Sequence, residues 1–146
     1  MRLLVPALVV ILASSGSVLA EEPKPAAPAA PAASAATTEH VDKIVSPDEA
    51  QKLIQEKKGI VILDVRTAEE FADGHIAGAQ NLDYFAPDFK KKLAALDPSK
   101  SYLVHCAAGN RSGKAVDLMK QGNFVEIYHL KDGFRGWVKA GKPVEK

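Results

Sequence analysis

The chain has 146 residues, 47% of them hydrophobic and 25% charged, which suits one ordinary globular domain with some sequence to spare. A formal net charge of +1 gives neither the basic footprint of a nucleic-acid binder nor the acidic surplus of a solvating tail, so no nucleic-acid partner is expected. One cysteine, Cys106, excludes an intramolecular disulfide, and the four histidines, His40, His75, His105 and His129, show no metal-ligand spacing, so neither metal nor cofactor is called for.

Residues 1–20 read as an export signal: Arg2 supplies a positive start, Leu3 to Ala13 an apolar run, and Val18-Leu19-Ala20 a cleavage site. The apolar run is about half the length of a bilayer-spanning helix. Cleavage and release to the periplasm or exterior is therefore expected. The alternative is an uncleaved anchor facing the periplasm, the one route to membrane contact. No cysteine follows the run, which excludes a lipoprotein anchor. Residues 21–39, rich in Pro and Ala, have no bulky apolar side chain to offset their ordering entropy and read as a semi-stiff spacer.

From His40 to Lys146 the pattern becomes that of a folded domain, with strands alternating with helices. Ser46-Pro47-Asp48-Glu49 predicts a capped helix start, Ala50, Leu53 and Ile54 its buried stripe, and Gly59 its end. Ile60 to Leu63 and Tyr102 to Val104 are short apolar runs of the kind buried on both faces of a parallel sheet. Pro87 is expected to open a helix carrying Phe89, Leu93 and Leu96, which Asp97-Pro98 closes. Ser112 to Gln121 predicts a helix closed by Gly122, Val125 to Leu130 a strand, and Phe134 to Val138 a last short helix. The expected class is a single α/β domain, with a mostly parallel sheet of about five strands and helices on both faces.

Chemistry concentrates where the strand ending at His105 runs into Cys106-Ala107-Ala108-Gly109-Asn110-Arg111-Ser112. In open α/β sheets ligands bind beyond the carboxyl ends of the strands. The small residues Ala107, Ala108 and Gly109 let the backbone curl and turn its N–H groups inward. Such a nest, the following helix dipole and the charge of Arg111 all favour a thiolate over a thiol. Cys106 as a mere apolar filler is disfavoured, because a filler needs no anion-binding loop beside it.

The chain resembles single-domain rhodanese-like sulfurtransferases over about Val45 to Val138. Three segments carry the likeness: Asp64 to Ala79, the Cys106 loop, and Leu130-Lys131-Asp132-Gly133-Phe134-Arg135-Gly136-Trp137. The family's closing signature usually has two glycines where this chain has Asp132-Gly133. Members that prefer thiosulfate often carry an extra basic residue in the loop, where this chain has alanines. The resemblance implies double displacement through a Cys106 persulfide. The donor would be a small sulfane-sulfur compound such as thiosulfate, and the acceptor cyanide or a thiol, a protein thiol included.

In the same resemblance Ala107, Ala108, Gly109, Asn110, Arg111 and Ser112 bind the substrate or persulfide. Asp64, Arg66, Glu70 and His75 are expected to support them, the first two through hydrogen bonds and a pair with Glu70, His75 by fixing a tight turn. His105 should point away from Cys106, since side chains alternate along a strand. Trp137 and Phe134 are expected in the core, and Lys114 in solvent. Cysteine phosphatases and arsenate reductases have a similar but longer loop. With four residues between Cys106 and Arg111, this one matches the shorter ring associated with sulfur. A non-catalytic binding or regulatory module is the remaining alternative.

Overall fold

A computed structural model describes residues 40–146; the expected export signal and spacer lie outside the described residues. In chain order the elements are β1 (Val41–Val45), α1 (Pro47–Glu56), β2 (Val61–Asp64), α2 (Ala68–Asp73), β3 (His75–Ile76), β4 (Gln80–Asn81) and α3 (Phe89–Ala94). They continue with β5 (Ser101–His105), α4 (Asn110–Gln121), β6 (Glu126–Leu130), α5 (Gly133–Lys139) and β7 (Val144–Glu145).

The main sheet has the strand order β1-β6-β5-β2-β4, and every pairing in it is parallel. A second, two-stranded antiparallel sheet joins β3 to β7. Strand alternation divides the core into two layers. Leu63, Tyr102, Val104, Cys106 and Ile127 face one side, where Phe89 and Leu93 of α3 and Ala115, Val116 and Met119 of α4 cover them. Ile62, Leu103, Tyr128 and Leu130 face the other, against Ala50 of α1 and Trp137 of α5. This is the expected fold class, and burial on both faces is why β2 and β5 read as continuous apolar runs. Each fully buried Leu, Val or Met contributes about 1.5–3 kcal/mol.

Local signals hold where they rest on side-chain caps. Ser46 and Glu49 form a reciprocal capping box around Pro47, and Gly59, at φ +87°, makes the turn into β2. Thr67 and Glu70 form a second capping box on α2, a helix absent from the expected set although its Thr-x-x-Glu pattern is visible in the sequence. The helix expected from Pro87 begins two residues later, at Phe89. Pro87 sits in a turn that opens where the Asp83 carboxylate accepts the Phe85 N–H at 2.8 Å. Likewise α4 starts at Asn110, before Ser112, because Gly109 in the left-handed region (φ +91°) lets the loop turn directly into helix.

Candidate active site

Cys106 follows the last residue of β5, and the helix α4 begins four residues later. Its side chain is 1% exposed and joins the layer beneath α4. The Gly109 N–H donates to Sγ at 3.1 Å, and the Ser112 hydroxyl approaches Sγ at 3.4 Å. Burial pushes the Cys106 thiol up. Hydrogen bonds from the Ser112 hydroxyl and from the backbone N–H groups of Ser112, Ala108 and Gly109 outweigh it, so the net shift is downward. A buried cysteine ordinarily shifts the other way, so this loop stabilises sulfur anion.

The loop is held from outside by the segment that follows β6. The N–H groups of Phe134 and Arg135, in the first turn of α5, donate to the carbonyls of Cys106 (2.7 Å) and Ala107 (3.0 Å). With these carbonyls directed at α5, the loop N–H groups remain free to face the sulfur. The contact leaves no room for side chains. A Cβ on Gly133 would lie 2.5 Å from the Cys106 carbonyl oxygen, and one on Gly109 would lie 2.1 Å from the Lys131 carbonyl oxygen. Ala107 is half-buried, whereas Ala108 and Asn110 are exposed at the rim.

The support residues are distributed differently from expectation. Arg66 does not pair with Glu70. Its buried guanidinium grips Asp64, with Nε 2.9 Å from each carboxylate oxygen, donates to the Gly74 carbonyl at 2.7 Å, and lies 4.0 Å from the centroid of the Phe134 ring. A pair so well hydrogen-bonded costs much if one partner is removed. Glu70 instead takes Arg111 in a two-pronged pair at 2.6 and 2.9 Å. That pair, made possible by α2, holds the Glu70 carboxyl down at about 2. The one cation of the loop is thus compensated, and its guanidinium also lies 5.6 Å from the centroid of the exposed Phe85 ring.

His75 lies in β3, directly after Gly74, where its ring stacks on Phe71 and Nδ1 donates to the Phe71 carbonyl at 3.0 Å. The expected turn itself falls at Ala77 and Gly78. His105 points to the opposite face from Cys106, fully buried, with Nε2 3.8 Å from Asp64. Trp137 lies in the core, Phe134 packs half-buried against it, and Lys114 is exposed. Sequence reasoning passed over His129. Its Nε2 lies 2.9 Å from the Ser112 hydroxyl, close behind the sulfur. The available signal was strand alternation, which puts it on the same face as Ile127, toward α4.

Residues 46–140 match the family model described as Rhodanese-like domain. The chain belongs to this family. It is 35% identical over 96 residues to the Thiosulfate sulfurtransferase GlpE of Stutzerimonas stutzeri, covering 65% of this chain and 84% of that one. With the chloroplastic Thiosulfate sulfurtransferase 16 of Arabidopsis thaliana it shares 33% identity over 93 residues, 57% of this chain and 78% of the relative. The crystal structure of a rhodanese-related protein from Thermoplasma volcanium superposes with a TM-score of 0.59 at 30% identity, covering 73% of this chain and 97% of that one. These relatives support a rhodanese-family sulfurtransferase.

Within the rhodanese-like frame, the departure at Asp132-Gly133 has a simple explanation. Asp132 sits in the ordinary right-handed region (φ −73°, ψ −10°), so no left-handed tolerance is asked of it. Gly133, at φ +61° against the loop backbone, is the position that requires glycine.

Proposed function

We propose that this protein is a sulfurtransferase that carries sulfane sulfur as a Cys106 persulfide between a small donor such as thiosulfate and a thiophilic acceptor, cyanide or a thiol. The observation that carries the reading is a buried sulfur whose anion is favoured by loop N–H groups and the Ser112 hydroxyl. The Cys106 thiolate attacks the outer sulfur of the donor, forming an S–S bond as the donor's own sulfur–sulfur bond breaks and its remainder leaves with the electron pair. The acceptor then attacks the outer sulfur of the persulfide and restores the thiolate. Loop donors stabilise the negative charge that returns to the cysteine sulfur at each turn. The short ring between Cys106 and Arg111 favours sulfur over phosphate. We further propose that the protein acts outside the cytoplasm, on the reading of residues 1–20 as a cleaved signal, with the uncleaved anchor as the alternative.

Intact mass spectrometry of the full chain, purified from an exporting host, tests both proposals. One added sulfur after thiosulfate, removed by cyanide and absent in Cys106→Ala, is the expected result; the loss of the first 20 residues reports signal cleavage. Turnover of an aryl phosphate would instead identify a phosphatase. No adduct and no turnover with thiosulfate, a thiosulfonate or a small-molecule persulfide would mark a binding module.

A further inference from the structure

The Ser112 hydroxyl has one hydrogen and three polar neighbours. These are Cys106 Sγ at 3.4 Å, the Gly109 carbonyl at 3.1 Å and His129 Nε2 at 2.9 Å. Ser112 is completely buried, so solvent does not resolve the competition. The Gly109 carbonyl already accepts the Gly113 N–H at 2.9 Å, a bond of α4's first turn. What orients the hydroxyl is therefore the third neighbour. If His129 Nε2 were bare, it would be the nearest acceptor and would draw the hydrogen away from sulfur. If Nε2 carries the proton, it donates into the hydroxyl oxygen and leaves the hydrogen to the other side, where an anionic sulfur is the stronger acceptor.

We propose that His129 is a positioning residue of the sulfur site, holding the Ser112 hydroxyl through an Nε2–H donor so that its hydrogen points at Cys106 Sγ. The inference rests on Cys106 being the reacting sulfur. Burial lowers the pKa of His129 and so favours the neutral ring, against the nearby Gly109 carbonyl, which favours the charged one. The ring is fixed on β6, with Ile44 of β1 and Val104 of β5 as its register neighbours, and with Gly113 of α4 leaving space beside Cε1. Other titratable groups around it are Asp42 of β1 and Asp117 and Lys120 of α4, and Lys120 forms an ion pair with Asp42. From β5 the titratable group facing this layer is Tyr102, and Cys106 follows at the end of that strand. The chain is Cys106, Ser112, His129, running from loop to helix to strand.

The test is the pH profile of Cys106 alkylation by iodoacetamide, which reads thiolate directly and needs no sulfur transfer. Failure here is thus distinguishable from failure of the persulfide reading, which the mass measurement decides separately. His129→Leu is expected to raise the apparent thiol pKa by about one unit, lowering the alkylation rate near neutrality about tenfold. His129→Gln, whose amide nitrogen reaches about as far as Nε2, restores the profile, whereas the shorter His129→Asn does not. Ser112→Ala reproduces the His129→Leu profile, and adding His129→Leu to it changes nothing more. A His129→Leu profile equal to that of the wild type overturns the proposal. So does a full additional loss in the double variant, because His129 would then act without Ser112. If the leucine variant fails to fold, the Gln and Asn pair decides: equal profiles for the two overturn it.

Discussion

Arg111 and Glu70 show how a single contact alters what a loop charge does. Read in the sequence, Arg111 is the loop's cation and an attractor of anionic donors. In the fold Glu70 takes both of its outer nitrogens, so a doubly negative donor of the kind proposed would meet a nearly neutral pair. Glu70→Gln removes the compensating charge and keeps the capping box on α2, since glutamine serves at that position. Its expected effect is a fall in KM for thiosulfate of about fivefold, corresponding to roughly 1 kcal/mol for a partly exposed pair, with kcat little changed. Steady-state kinetics at low ionic strength checks it; an unchanged or higher KM would show that Arg111 does not meet the donor. Cys106, Arg111 and Ser112 were legible because they lie together in the sequence. The Glu70–Arg111 pair and the approach of His129 to Ser112 were not, because separations of 41 and 17 residues carry no local signal.

At the scale of elements, the loop between β5 and α4 is shaped less by its own residues than by α5. The carbonyls of Cys106 and Ala107 are engaged by the first turn of α5, and Gly133 permits that approach. Gly133→Ala must strain a left-handed backbone and displace the loop, at a cost of about 1–3 kcal/mol or more. The expected result is a Tm lower by about 5 °C or more and a greatly reduced persulfide yield. Asp132→Gly, at an ordinary backbone conformation, should cost no more than ~1 kcal/mol and leave the yield intact. Thermal melts with mass spectrometry on both variants separate them; equal effects would contradict this division of roles. The helices α1 and α4 were readable from caps and periodic apolar positions. The strands β3, β4 and β7, of two residues each, were not, because so short a segment has no periodicity and exists through its pairing partner.

At the scale of the molecule, burial of histidines couples stability to acid. Burial lowers the pKa of both His105 and His129 in the fold, while the unfolded chain titrates near 6.5. Below that pH the unfolded state binds more protons than the native state, so stability falls as pH drops, by up to about 1.4 kcal/mol per pH unit for each histidine. Glu70, held down at about 2, contributes stability above its unfolded pKa that is lost as pH falls toward 2. Urea midpoints should therefore decline from pH 7 to 5.5, and His105→Asn should flatten that decline. A midpoint independent of pH over this range would mean that both rings are protonated equally in the two states.

Cys106 began as the one cysteine of the chain, beside small residues, an arginine and a serine, and that much was determined by the sequence itself. So were the two-faced parallel sheet, through apolar runs and helical stripes, and the turn that puts the loop at the strand ends. Those features are local, set by side-chain size, backbone freedom and period. The tertiary structure alone decided which groups surround the sulfur: Gly133 and the first turn of α5 bracing its loop, Glu70 occupying Arg111, and His129 behind Ser112. Each of these depends on elements distant in sequence meeting across the sheet, and packing rather than local preference selects such contacts.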